Sequence, residues 1–290
     1  MTATAPEQIF DIKSEKIRVW RPADLAGIEM RRGINVARPV PRHWHEEFQL
    51  CFVQAGSGEL SYRGVNHTTP PGSLFIVHPN EIHSNFAYGS NGCSYSTVYA
   101  RPDLVSRAAS QMTGRSQSIP FFSTSIIYDR DILDLYTRLR LSIETPGSSL
   151  ERESLLLQLL VDLITRHSET RPQVKPRGRE RKSIRRVREY LIEHYAENVS
   201  LEELSRIAGL SPFHLNRVFS QEIGMPPHAF QTQVRIVEAK RLLRQGLSLS
   251  QVAAQMGFAD QSHFTRHFKR LAVVPPGKYL EGSKNVQDNS

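Results

Sequence analysis

Two stretches near the C-terminus, SLEELSRIAGL at residues 200–210 and SLSQVAAQMGF at residues 248–258, repeat one another at an offset of 48. Each opens on a serine followed three residues later by Glu203 or Gln251. In that pattern the hydroxyl caps the free N–H groups of a helix while the longer side chain reaches back. Apolar residues follow at helical spacing: Leu201, Leu204 and Ile207 in the first copy, Leu249 and Val252 in the second. Gly209 and Gly257 close the two stretches, and glycine takes the left-handed conformation that stops a helix.

A second helix is expected directly after each turn. Ser211 caps the first with Pro212 in its first turn, where a missing N–H costs little. Asp260 caps the second. From here the offset is 49: Leu215 matches Phe264, Arg217 matches Arg266, Phe219 matches Phe268, Pro226-Pro227 matches Pro275-Pro276, and Phe230 matches Tyr279. Such a pair reads as two helix-turn-helix units, 200–223 and 248–271, each placing its second helix in a DNA major groove. With Leu215, Val218 and Phe219 inward, Phe213, Asn216, Arg217 and Ser220 are expected to face out. With Phe264 and Phe268 inward, Ser262, His263, Thr265, Arg266 and Lys269 are expected to do the same. Arg217 and Arg266 can each present a two-pronged donor to guanine. Residues 228–245, with an apolar stripe, read as one helix holding the two units apart.

Charge agrees with this placement. Residues 1–173 hold 18 basic and 18 acidic side chains, and residues 174–290 hold the remaining 19 and 11, so the whole net charge of +8 lies in the C-terminal part. A polyanionic partner for that part follows. No apolar run is long enough to span a membrane, the N-terminus lacks a secretory pattern, and two cysteines fit a reducing, cytoplasmic setting.

Upstream the pattern changes. Residues 1–17 read as a loose arm, and about 17–100 as short β-strands broken by turns such as Gly56-Ser57-Gly58 and Pro70-Pro71-Gly72. Residues 131–144 and 149–168 read as helices. The second carries Leu155, Leu156, Leu157, Leu159, Leu160, Val161, Leu163 and Ile164, more apolar surface than one face can hide, and a second subunit is one way to cover it. Residues 169–183, polar and basic with two prolines, read as a linker. The expected architecture has two domains. The first (1–168) is an all-β barrel (about 17–100) with following helices (about 130–168), and the second (184–282) is an all-α DNA-binding domain.

The C-terminal stretch, most specifically GFADQSHFTRHFKRLAVVPPGKYL at 257–280, resembles the AraC/XylS family of bacterial regulators over about 184–280. The resemblance implies seven helices and base-contacting positions at Phe213, Asn216 and Arg217, and at Gln261, Ser262, His263, Thr265 and Arg266. It also implies promoter DNA and a small-molecule effector as partners, a homodimer, and RNA polymerase as a partner of an activator. The stretches HWHEEFQLCFVQAGSGELSYRG (43–64) and PPGSLFIVHPNEIHSNF (70–86) resemble the cupin-like sensing domain of the same family. Strand alternation would place His43, His45, Glu47, Gln49 and Cys51 on one face, and His83 ends the second stretch. Metal cupins use histidines and a glutamate; here Gln49, a weak ligand, stands at the glutamate position. The reading is therefore a polar effector pocket of Arg38, His43, His45, Gln49 and His83, with no cofactor, no metal and no catalytic residue. A metal-dependent cupin enzyme with a DNA-binding tail is the alternative.

Overall fold

The structure, a computed structural model, describes residues 8–12, 15–145, 147–170, 181–272 and 274–279. Residues 171–180 of the expected linker lie outside the described residues. The chain divides into two compact units, Met1–Arg140 with Leu157–Lys175, and Leu141–Leu156 with Pro176–Ser290.

Among the described residues the first unit has eleven strands, in chain order β1 (Gln8–Ile12), β2 (Glu15–Trp20), β3 (Ile28–Val36), β4 (Val40–His43), β5 (Phe48–Ala55), β6 (Gly58–Tyr62), β7 (Val65–Thr69), β8 (Leu74–Val77), β9 (His83–Ala87), β10 (Cys93–Ala100) and β11 (Ile126–Ile127). They form a seven-stranded sheet, β1-β2-β3-β10-β5-β8-β11, and a four-stranded sheet, β4-β9-β6-β7. Every pairing is antiparallel. Residues 8–12 and 15–19 therefore pair as a ribbon where a loose arm was expected.

Alternation explains how the sheets meet. In β6, Gly58, Leu60 and Tyr62 are buried while Glu59 and Ser61 are more open. Leu60 and Tyr62 pack with Cys51 and Val53 of β5 and with Phe75 and Val77 of β8, forming the core between the two sheets. The other face of β5 belongs to helix α2 (Arg130–Glu144), which follows α1 (Pro102–Thr113). Tyr136 of α2 is fully buried and donates its hydroxyl to the carbonyls of Ser96 (2.7 Å) and Leu50 (3.3 Å).

In the second unit, α3 (Ser149–His167) contributes its first eight residues, joined by α4 (Arg181–Glu193), α5 (Leu201–Ala208), α6 (Pro212–Ile223), α7 (Pro227–Arg244), α8 (Leu249–Gln255) and α9 (Gln261–Ala272). Residues 276–279 form a further helical turn. All of α3 was expected with the barrel; the contacts of its first turns explain why residues 149–156 cluster elsewhere. Ser149 donates its hydroxyl to the Asn198 amide oxygen at 2.9 Å. The Glu153 carboxylate accepts from the Leu201 N–H at 2.7 Å, serving a donor that the first turn of α5 leaves free. Of the α3 residues that pointed to a second subunit, Leu155, Leu156, Leu159, Leu160, Val161, Leu163 and Ile164 are already buried in the single chain.

The repeat folds as its caps dictate. The Ser200 hydroxyl accepts from the Glu203 N–H, and Ser248 with Gln251 makes a complete capping box. Gly257 has φ +70°, and a Cβ there would lie 1.9 Å from the Ala196 carbonyl oxygen, so no other residue fits this turn. The close approach seats Phe258 in a core with Phe264, Phe268, Ile236, Leu243 and Val252. Arg235 of α7, almost fully enclosed, donates to the carbonyls of Tyr195 and Glu197 and lies over the Phe258 ring.

Candidate nucleic-acid interface and the histidine cluster of the barrel

Helix α9 begins where the Asp260 carboxylate accepts from the His263 N–H at 2.6 Å. Phe264 and Phe268 face the core with no exposure. On the other side of the helix, Gln261, Ser262, Arg266 and Lys269 are open to solvent and Thr265 is half-buried. That face presents a guanidinium, hydroxyls and an amide, which are groups that hydrogen-bond base edges and phosphates.

His263 does not belong to it. With 5% exposure it sits inside, as does His267 at 8%, correcting the outward placement from spacing. The Phe258 ring stands 5.4 Å from the His263 ring and 5.9 Å from that of His267. The Ala259 N–H points at His263 Nδ1 (3.4 Å), and Arg270 donates to His267 Nδ1 (2.9 Å). An imidazole nitrogen that accepts carries no proton, so each ring holds its proton on Nε2. On that side lies the Glu151 carboxylate, 4.0 Å from His267 Nε2. Burial pushes His263 down to about 4 and His267 to about 3, so both are neutral at pH 7.

Helix α6 repeats the framework with a different surface. Ser211 caps it, and Leu215, Val218 and Phe219 are buried as expected. Phe213 and Asn216, expected to face out, are also enclosed, at 5% and 6% exposure. The Arg217 side chain, half-buried, lies over the Phe213 ring with its guanidinium carbon 6.0 Å from the ring centroid. Helical spacing puts Phe213, Asn216 and Arg217 on one side of α6. It does not reveal that this side is closed in the free chain.

In the β unit the structure gathers His43, His45, Gln49 and His83. His43 ends β4 and pairs directly with His83 at the start of β9. His45 lies in the bend before β5 rather than on a continuous strand, and its Nε2 is 3.1 Å from the Gln49 Oε1. One donor atom from each of the three histidines falls within 4.8 Å of the others. Each Nδ1 rests on a main-chain carbonyl: Pro41 for His43 (2.9 Å), Glu47 for His45 (2.8 Å) and Glu81 for His83 (3.0 Å). Glu81 is itself held by the Arg63 guanidinium and the Tyr62 hydroxyl, which fixes the approach to His83. Burial lowers His83 to about 4.

Arg38 stands apart. It pairs with Glu15 and lines a separate cavity of about 40 Å³ with Val36, Cys51, Phe75 and Tyr95. The cavity beside the histidines, about 150 Å³, is lined by His43, His45, Glu29, Arg31, Glu47 and Tyr99. Glu29, Arg31 and Tyr99 escaped the sequence reading. The signal for Glu29 and Arg31 was charge at two alternate positions of β3, a pattern that a solvent-facing strand produces equally well.

Residues 204–282 match the model of a helix-turn-helix domain, and residues 27–160 that of an AraC-like ligand binding domain. The Bacillus subtilis (strain 168) protein named "Uncharacterized HTH-type transcriptional regulator YbfI" is 32% identical over 237 residues, covering 81% of this chain and 85% of its own. The HTH-type transcriptional activator RhaS of Klebsiella pneumoniae (strain 342) is 26% identical over 254 residues, covering 83% of this chain and 88% of its own. The crystal structure of ToxT from Vibrio cholerae O395 aligns over 88% of this chain and 97% of its own, at 12% identity and a TM-score of 0.35.

Proposed function

Since this chain belongs to the AraC/XylS family of transcription regulators, we propose that α9 reads operator DNA through Gln261, Ser262, Thr265 and Arg266, that Arg217 of α6 reads a second segment, and that the histidine-lined cavity receives the effector. The chain is a DNA-binding regulator with an N-terminal ligand-binding domain, and its relatives are regulators, not enzymes. The observation that carries the reading of α9 is its division into a closed aromatic side and an open polar side. Phe213 and Asn216 flank Arg217 and join it in the proposal for α6, provided that side opens on DNA. His263 is left out, because its ring is enclosed with Phe258, His267 and Glu151.

In the barrel, His43, His45, Gln49 and His83 are the proposed effector contacts, with Glu29, Arg31, Glu47 and Tyr99 around them. Arg38 lines a different cavity and serves the effector only if that cavity is used. Effector binding changes DNA affinity only through a difference in its affinity for two arrangements of the chain. A homodimer on paired operator sites, RNA polymerase as a partner and a cytoplasmic setting complete the reading. The activators named among the relatives support the polymerase contact. No described helix is long and apolar enough to cross a membrane. The buried leucines of α3 leave the dimer contact to another surface.

The test uses DNA selected from a random pool by the purified chain. The double variant Arg217→Ala/Arg266→Ala should weaken binding to that DNA by several kcal/mol, at about 1–3 kcal/mol per good base contact. The logarithmic salt slope should fall wherever one of the pair clamps phosphate. Wild-type affinity in fluorescence anisotropy would remove these arginines from the interface.

A further inference from the structure

The two helix-turn-helix units meet through a loop as well as through α7. Helix α4 packs on α5, α6 and α7, and residues 194–199 lead from it into the first unit. Tyr195 of this loop packs against the cluster that joins α7 to Phe258, Phe264 and Phe268. The next carbonyl, that of Ala196, meets the turn of the second unit at Gly257, where not even a methyl group would fit.

Arg235 of α7 grips the same loop at 3% exposure. Its Nε donates to the Tyr195 carbonyl at 2.5 Å and a terminal nitrogen to the Glu197 carbonyl at 2.8 Å. Its guanidinium carbon lies 5.6 Å from the centroid of the Phe258 ring. Gln231, one turn earlier on the same face of α7, donates its amide to the Glu197 carbonyl at 3.0 Å. One side chain therefore touches the approach to the first unit and the turn of the second. Burial lowers Arg235 to about 10, which leaves it charged at pH 7. Enclosing a charge is costly, and an apolar side chain would fill the space without that cost. Apolar packing tolerates small slides. Directed hydrogen bonds to carbonyls two residues apart accept one register.

We infer that Arg235 is a positioning residue that fixes the spacing of the two DNA segments read by α6 and α9, by locking the 195–197 loop to the Phe258 turn. Helix α7 alone, the spacer expected from the sequence, would let each unit rock about its own end. The inference rests on the proposed reading of DNA by both α6 and α9.

The test starts from DNA selected by the wild-type chain. Two base pairs are inserted between the segment that Arg217→Ala ceases to protect and the one that Arg266→Ala ceases to protect. The insertion moves one segment by roughly 7 Å and turns it by roughly 70°. Wild-type affinity should fall roughly 100-fold, because one unit loses its base contacts. Arg235→Met should reduce that spacing penalty to less than about tenfold, and Arg235→Lys should restore part of it. A variant that was merely less stable would lose affinity for both DNAs by one factor and keep the ratio. Gln231→Leu, which leaves the Glu197 carbonyl served by Arg235, repeats the comparison with a smaller change should Arg235→Met fail to fold. Without DNA, spin labels on Gln221→Cys of α6 and Lys269→Cys of α9, in a Cys93→Ser background, should give a narrow distance distribution that Arg235→Met broadens. A wild-type spacing penalty in Arg235→Met, or a distribution that stays narrow, overturns the inference. Wild-type indifference to the insertion also overturns it. If Arg217→Ala then costs no affinity, the reading of DNA by α6 has failed as well.

Discussion

Two clusters in this chain look alike by distance and are opposite in chemistry. His43, His45 and His83 in the β unit, and Glu151, His263 and His267 in the helical unit, each bring donor atoms within 4.8 Å of one another. In the first, every Nδ1 meets a carbonyl, so the inward nitrogens are acceptors. In the second, the Nδ1 atoms meet N–H donors, so the inward nitrogens carry protons and face a carboxylate. One cluster presents acceptors and the other faces a carboxylate. What lies on the far side of each imidazole separates a cluster of acceptors from a structural contact.

The largest effect that sharpens the contrast is acid. His263 and His267 are neutral in the fold because burial lowers them to about 4 and about 3, against about 6.5 in an unfolded chain. Below pH 6.5 the unfolded state binds the extra protons, so stability is complete above that pH and is lost as pH falls toward 4 and 3. Each histidine contributes about 1.4 kcal/mol per pH unit within its window. The far-ultraviolet circular dichroism signal, dominated by helices, should show a urea midpoint falling steadily between pH 6.5 and 4.5. His267→Leu should remove its own share of that fall, while His78 and His83 of the β unit, also lowered to about 4 by burial, keep theirs. An unchanged pH profile in that variant would mean the ring is protonated in the fold, and the contrast would fail.

Next in size is the carboxylate. Glu151→Gln keeps the shape and removes the charge that the two Nε2–H groups face. A hydrogen bond to a charged group is worth about 1.5–3 kcal/mol. At 4.0 Å the contact with His267 is longer than a hydrogen bond, so a loss of about 1 kcal/mol is expected in the same urea measurement. Stability equal to the wild type would show that the Glu151 charge does not stabilise the two rings.

Much of the fold was legible for a physical reason: it is coded by local rules that repeat. Ser200, Ser248, Gly209 and Gly257 act within a few residues of themselves, and each does what its type predicts. Leu215, Phe219, Phe264 and Phe268 announce the core by period alone. His263 was not legible because its burial depends on Glu151, more than a hundred residues away in sequence, and on Phe258, seated by the close approach of Gly257 to Ala196. A helical pattern treats histidine as polar and turns it outward. The barrel cluster was half legible. The spacing of His43, His45 and Gln49 suggested a shared face, but strand continuity breaks between His43 and Phe48. Long-range pairing of β4 with β9 supplies His83. Arg38 was misplaced for the same reason, since Glu15 on β2 draws it to another cavity.

The smallest expected effect tests the barrel side of the contrast. If the inward nitrogens of the cluster only oppose one another, deleting one should cost little. His43→Gln gives up the contact with the Pro41 carbonyl, worth about 0.5–1.5 kcal/mol, and relieves a comparable repulsion among the remaining lone pairs. The two nearly cancel, and the net change should lie within about 0.5 kcal/mol, as for ordinary surface substitutions. Both tryptophans of the chain, Trp20 and Trp44, lie in the β unit, so their emission follows unfolding of that unit alone. A large loss, about 2 kcal/mol or more, would mean that the imidazoles already satisfy one another. The barrel cluster would then be a second structural contact, and the opposition between the two sites would disappear.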